Sequence, residues 1–411
     1  MVDNTDIKEN DEIIFTSKIV VGEKLAEGGM GSVYKGFIVS DDYQVRRQIA
    51  LKVPKNSNQA ELSAFRKEQG TLSILQHDNI ASMVDSRTIA EGPHQGKQFI
   101  AMQMVNGPDL SELIEMHGLT EDRIKKVSQQ DLTVSPYSMI RFPEKLIAFI
   151  AFMAARGAAY SHKKGLINRD IKPENIMVER ENGFVKLIDM GIAEYAHILQ
   201  NAEILSAGTP FYMAPELFCG EPSPATQVTD VFSMGAAMFQ AATGIKPFST
   251  LNDASSIQDI MYNVYGNAPE DGHKLITPIK ELLAEPTGDP VFSKIVSQCL
   301  DYNPKQRFQS MDDLGSFLTA YLYDGGVGPT IESLATYISI IDRWKQKASS
   351  DPRNPVTLDD IEMTREERSK FPFYENIEDH LLQPYKTTPI AKKALSKGEN
   401  PAFQKVHNNA A

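Results

Sequence analysis

The run NRDIKPEN (168–175) brings an acid, an amine and an amide within a few residues of one another. In it Asp170 can accept a hydroxyl proton, Lys172 can balance charge on a transferring phosphoryl group, and Asn175 offers an oxygen suited to a hard cation. A second carboxylate, Asp189, ends the apolar run VKLID and precedes Gly191 by two positions, making another ligand for a hard divalent ion. Near the N-terminus, KLAEGGMGSVYKG (24–36) sets Gly28, Gly29 and Gly31 between two β-like runs. Main-chain N–H groups there can approach phosphate oxygens without intruding side chains. Lys52 lies inside the apolar IALKV, where burial demands an anionic partner, and Glu68 offers a carboxylate on the next helical segment. Each motif alone also has a plain reading: a hairpin turn, a solvated Lys and Glu, a polar loop. Their order and spacing along one chain point to phosphoryl transfer from a nucleotide.

Two kinds of structure must hold these groups. Residues 13–105 alternate β-branched runs (KIVVGEKL, SVYKGFIV, RQIALKV, QFIAMQMV) with turns, which predicts one twisted antiparallel sheet. Phe65, Leu72 and Leu75 recur at helical spacing and predict one helix over 61–76. From Leu110 to about Tyr321 helical periods dominate, at 144–163, 230–242, 255–264 and 291–300. The fold class is α+β, a small sheet lobe with one helix and a larger helical lobe, with a cleft expected between them. The polar stretch 118–142 reads as an inserted loop. After the Gly-rich break YDGGVGPT, the residues Ile331, Leu334, Ile338 and Ile341 share a helical face expected to dock on the main body, within 322–347. Pro and charge enrich 348–411, which is expected to be extended or partly disordered. Its basic YKTTPIAKKALSKG could alternatively recruit a partner.

Composition excludes several functions. A formal charge of −12 argues against a nucleic-acid binder that neutralises phosphates. Two cysteines, Cys219 and Cys299, have no CxxC pairing, which argues against a disulfide framework or structural zinc and fits a reducing compartment. The N-terminal MVDNTDIKENDEIIF lacks an apolar signal core, and the longest apolar run, LIAFIAFMAA (146–155), is too short to span a membrane. A soluble, cytoplasmic protein is the expectation.

Taken together, the glycine loop, Lys52, Glu68, Asp170 with Asn175, Asp189 and APE (214–216) resemble the eukaryotic-like serine/threonine protein kinases over about 19–321. The glycine-loop wording EGGMGSVY is similar to that of bacterial members. The resemblance implies a bilobal fold with an N-terminal extension over 1–18, a small lobe and hinge over 19–105, and a large lobe over 106–321. It implies ATP and Mg²⁺ as cofactors, with Mn²⁺ as an alternative metal, and protein substrates bearing Ser or Thr hydroxyls. Leu25, Ala26, Glu27, Gly28, Gly29, Met30, Gly31, Ser32 and Val33 would then cover the phosphates, with Val33 and Ala50 lining the adenine pocket. Lys52 would contact the α- and β-phosphates and pair with Glu68. Met102 matches the gatekeeper, Gln103 to Val105 face adenine, and Asp109 matches a ribose-side position. Asp170 is the implied base, Lys172 its phosphate-neutralising partner, and Asn175 and Asp189 the metal ligands. Glu216 is expected to pair with Arg307, and Asp230 to brace the catalytic loop. DIKPEN and Thr209 of GTPFY resemble the serine/threonine branch.

Four departures stand out. Ala26 replaces the first loop glycine, Asn168 the usual His, and Met190 the usual Phe, while 118–142 lengthens a connection. Without the aromatic pair, a softer active–inactive balance is expected from Asn168 beside Met190. Arg169 is retained, and Ser206 is the expected autophosphorylation site. The rival reading is a pseudokinase, a scaffold that keeps the fold without transferring phosphate.

Overall fold

The computed structural model describes residues 12–13, 18–28, 31–39, 46–54, 59–89, 96–117, 142–189, 209–217, 224–244, 246, 289–324, 326–350 and 363–374. Within these, the chain divides into two compact units, Met1–Asn106 with Ile188–Ala193, and Gly107–Leu187 with Glu194–Ala411. The sequence reading placed the first break after Val105.

The first unit is a six-stranded antiparallel sheet in the order β1-β2-β3-β4-β6-β5. Its strands are β1 (Glu12–Ile13), β2 (Lys18–Gly28), β3 (Gly31–Val39), β4 (Arg46–Pro54), β5 (Met83–Thr88) and β6 (Gln98–Gln103). Alternation along β4 buries Ile49, Leu51 and Val53, which cluster with Ile19, Val21, Ile89, Phe99 and Ala101. The one helix of this unit among the described residues, α1 (Gln59–Ile74), buries Phe65, Glu68 and Leu72. These positions recur at i, i+3 and i+7, so Glu68 belongs to the apolar stripe itself. A carboxylate placed there needs a cation.

The second unit is mainly helical. Its helices are α2 (Leu110–Met116), α3 (Glu144–Lys163), α4 (Gln227–Thr243), α5 (Pro290–Cys299), α6 (Met311–Leu322), α7 (Ile331–Ser350) and α8 (Arg365–Ser369). α3 packs on α4 and α6, and α4 also packs on α5. Small residues (Ala151, Ala154, Ala155, Ala158 on α3; Ala236, Ala237, Ala241 on α4) are fully or nearly fully buried, so the backbones approach closely. A short hairpin, β7 (Ile176–Val178) with β8 (Val185–Leu187), follows the polar run at 168–175. The sequence period placed α3 at its observed bounds and α4 about one turn short at its N-terminal end. The helix read at 255–264 and the loop at 118–141 lie outside the described residues.

Beyond α6 the core continues. Leu334, Ile338 and Ile341 of α7 are buried as their periodicity indicated, and Tyr337, Ile340 and Trp344 widen the stripe. Tyr337 OH lies 2.5 Å from His117 Nε2 at the end of α2, and the rings of His117, Phe142 and Tyr337 stack. Gly183, in the β7–β8 turn at φ +72°, lies so close to α7 that a β-carbon would fall 1.9 Å from the Ile331 carbonyl oxygen. The expectation of an extended or partly disordered segment from 348 departs from the structure in two places. α7 runs to Ser350, and 363–374 are folded, with Met363 and Phe371 buried in the same core. Composition misses this because a few apolar side chains suffice to anchor a polar segment. Ser333 Oγ donates to the Lys370 carbonyl at 2.6 Å, and the ion pairs Arg343–Glu367 and Lys370–Glu332 (2.8 Å each) flank it.

Candidate functional site

In the first unit the polar constellation forms around Lys52, on β4. Its ammonium lies 2.5 Å from Glu68 Oε1 and 3.2 Å from each carboxylate oxygen of Asp189. Lys52 is 4 % exposed and Glu68 3 %. Burial alone would depress the Lys52 amine, but Asp189 and Glu68 together outweigh it and hold the amine above its ordinary range. Burial pushes the Glu68 carboxyl up to about 7, with Lys52 pulling against it and Asp189 adding to the rise. Glu68 Oε2 is buried without a hydrogen-bond partner among the described residues. Two carboxyl groups thus share one cation. Asp189 itself sits at φ 55°, in the left-handed region.

The glycine hairpin closes at the end of β2 and β3, with Ala26 opposite Val33, Glu27 opposite Ser32 and Gly28 opposite Gly31. Gly31 admits no side chain, since a β-carbon would fall 2.2 Å from the Val53 carbonyl oxygen. Leu25, Ala26 and Glu27 are exposed, and Glu27 is ion-paired to Lys24. Gly29 and Met30 lie outside the described residues. Register continues the same sheet inward, with Val33 opposite Lys52 and Ala50 opposite Met102. Met102 and Val105 are buried, and the Gln103 N–H donates to the Ser82 carbonyl.

In the second unit Asp170 collects donors. Its Oδ2 accepts from Lys172 Nζ and from Asn175 Nδ2, each at 2.8 Å, and its carbonyl accepts from Asn175 Nδ2 at 2.9 Å. Lys172 precedes a short turn, Pro173–Asn175, that leads into β7 and turns Asn175 back onto Asp170. The loop is anchored from below by Asp230 of α4, which is fully buried. The Asn168 N–H donates to Asp230 Oδ2 and the Arg169 N–H to Asp230 Oδ1, each at 2.8 Å. His162, near the end of α3, places its Nε2 2.6 Å from Asp230 Oδ2. Sequence reasoning missed His162, because a His in the last turn of a helix looks like a favourable charge at the helix end.

Asp109 caps α2. Its carboxylate accepts from the Glu112 N–H at 2.7 Å, while the Asp109 N–H donates to Glu112 Oε2. Burial pushes its carboxyl up to about 6, against the pull of the Glu112 N–H. Glu216 and Arg307 meet in a bidentate pair, 2.8 Å at both nitrogens, and Arg307 stacks over the Phe232 ring. Met190, Gly191 and Ser206 lie outside the described residues, as does Cys219, while Cys299 is buried. No helix among the described residues is long and apolar enough to cross a membrane.

A family model described as "Protein kinase domain" matches residues 19–316. Among curated proteins, the chain is 32 % identical over 238 residues to a serine/threonine-protein kinase of Myxococcus xanthus, pkn3, covering 55 % of this chain and 38 % of that protein. It is 28 % identical over 229 residues to PknA of Corynebacterium glutamicum (55 % and 43 %). With PknB of Mycobacterium tuberculosis it shares 26 % over 359 residues, 85 % of this chain and 50 % of that one. The chain therefore spans half or less of the length of these relatives.

Proposed function

The chain belongs to the protein kinase family, which uses ATP and a divalent metal, and from that premise we propose that it transfers the γ-phosphoryl group of ATP to Ser or Thr hydroxyls of proteins. The observation that carries this reading is Lys52, a buried ammonium held by two carboxylates, Glu68 and Asp189. Such an amine stays charged at any physiological pH and presents a fixed cation to the α- and β-phosphates. The serine/threonine preference is supported by Lys172 within DIKPEN, by Thr209, and by the names of the bacterial relatives.

The residues present fit a hard divalent ion. The Asp189 side chain keeps 40 % of its surface exposed despite its bond to Lys52. Asn175 directs its amide nitrogen to Asp170, which leaves its amide oxygen to ligate a cation. Mg²⁺ is commonly bound by one or two protein oxygens together with substrate phosphates, which suits such a pair of ligands. Asp189 and Asn175 would each offer an oxygen to such an ion, which when bound neutralises charge on the phosphates.

Asp170 then orients the acceptor hydroxyl and takes its proton as the bond to phosphorus forms. Lys172 and Asn175, both on Oδ2, fix the carboxylate for that task. Lys172 brings positive charge beside the transferring group. Catalysis rests on positioning and on charge already in place. A γ-labelled ATP assay with a mixed Ser/Thr acceptor peptide library tests this, comparing wild type with Asp170→Asn and Lys52→Met. Transfer by wild type and its loss in both variants supports the reading; equal background in all three indicates a non-transferring scaffold.

A further inference from the structure

We propose that Asn168 is a positioning residue for Asp170, its side-chain oxygen fixing the main chain that carries the base. The inference rests on the kinase reading above and gives a departure from the family pattern a task of its own.

The loop has a conformational problem at its centre. Arg169 stands at φ 68°, a left-handed backbone that a long side chain adopts only at a cost. Such a residue persists where its neighbours over-determine it. Here three successive N–H groups are engaged: those of Asn168 and Arg169 by Asp230, and that of Asp170 by Asn168 Oδ1 at 3.1 Å. The last bond spans two residues and forms an Asx turn around Arg169.

Asp230 reaches residues 168 and 169, and Asn168 carries the bracket one residue further, to the base itself. Asn168 is 1 % exposed, so its oxygen is shielded from competing water. From the other side Lys172 and Asn175 hold the Asp170 carboxylate. Asn175 also holds the Asp170 carbonyl at 2.9 Å, while the Asp170 N–H is held by Asn168.

The test uses the full chain with Asn168→Ala and Asn168→Ser, which remove the same amide and differ by one hydroxyl. A serine oxygen can still accept from the N–H two residues on, more weakly than Asn. Phosphoryl transfer from γ-labelled ATP to the mixed Ser/Thr peptide library is resolved into kcat and KM for ATP, and amide exchange at Asp170 is followed by NMR. Asn168→Ala is expected to lower kcat about 10- to 100-fold, the scale of a misplaced catalytic group. KM for ATP should stay within about twofold, since no ground-state contact is removed. Exchange at the Asp170 amide should accelerate, and Asn168→Ser should restore much of both. Equal losses in Ala and Ser, a loss confined to KM, or unchanged Asp170 exchange in Asn168→Ala would overturn the proposal. A wild type no more active than Asp170→Asn sinks the kinase reading instead, and the exchange data still decide whether Asn168 holds the loop.

Discussion

Lys52 Nζ and Glu68 Oε1 stand 2.5 Å apart on side chains only 5 % and 4 % exposed. Removing one member of a buried pair strands the other, which costs about 3–5 kcal/mol, whereas removing both can be close to neutral. Lys52→Met should therefore lower the stability of the chain by about 3 kcal/mol in urea denaturation. Lys52→Met with Glu68→Met should recover most of it while leaving transfer activity abolished. The exposed Asp189 adds little to the stability loss, because solvent screens it. A double variant no more stable than the single one would contradict this account.

Arg307 is the second buried cation that cannot be simplified. Its side chain is fully buried, it holds both oxygens of Glu216, and its Nε donates to the Asp301 carbonyl at 2.6 Å. Lysine matches neither the fork nor the stack on Phe232. Arg307→Lys is expected to destabilise by about 3 kcal/mol, read as a lowered Tm. A shift too small to measure would show the pair to be dispensable.

His117 makes the second unit sensitive to acid. Burial pushes its imidazole down to about 4, against the Leu113 carbonyl that pulls it up. In the unfolded chain it regains an ordinary value near 6.5, so between those values the unfolded state binds the extra proton. The neutral, buried ring therefore contributes fully above about pH 6.5, and its contribution is lost as pH falls toward 4. The limit is about 3 kcal/mol. Asp109, raised by burial, acts in the opposite sense below about 6, so the comparison must be internal. Urea midpoints of wild type and His117→Phe at pH 7 and pH 5 supply it. Wild type should lose more stability than the variant on acidification; parallel losses would exclude His117.

Two left-handed glycines separate backbone strain from packing. Gly165, at φ +76°, has open space where a β-carbon would lie, whereas Gly183, at φ +72°, faces the Ile331 carbonyl. Gly165→Ala should cost about 1 kcal/mol, the left-handed penalty alone. Gly183→Ala should cost clearly more, because the turn or α7 must move. Equal thermal shifts would mean that α7 yields freely.

Much of this was legible in the sequence because it is periodic or local. Alternation marked β4 and β6, and a 3.6-residue period fixed α3 to the residue. The Lys52–Glu68 pair could be anticipated because both residues interrupt apolar stripes, where a charge must be answered. The Asp170 loop was readable because Lys172 and Asn175 follow it closely. What the sequence hid depends on long separations. His117 meets Tyr337 across 220 positions, and His162 meets Asp230 across 68. The expected proximity of Asn168 and Met190 involves a residue outside the description. Asn168 looked like a lost aromatic contact, yet its oxygen engages the next residue but one, a bond no period reveals.

The family pattern ends at residue 316, inside α6, while the buried side chains run on through Tyr337 and Trp344 to Phe371. A fragment trimmed to the recurring pattern would break a helix in mid-course and uncover the faces of α2 and of the β7–β8 turn. For anyone cutting, grafting or exchanging this protein with a relative, the usable border therefore lies no earlier than the segment of Phe371, buried among the described residues, and not at the last residue that looks familiar.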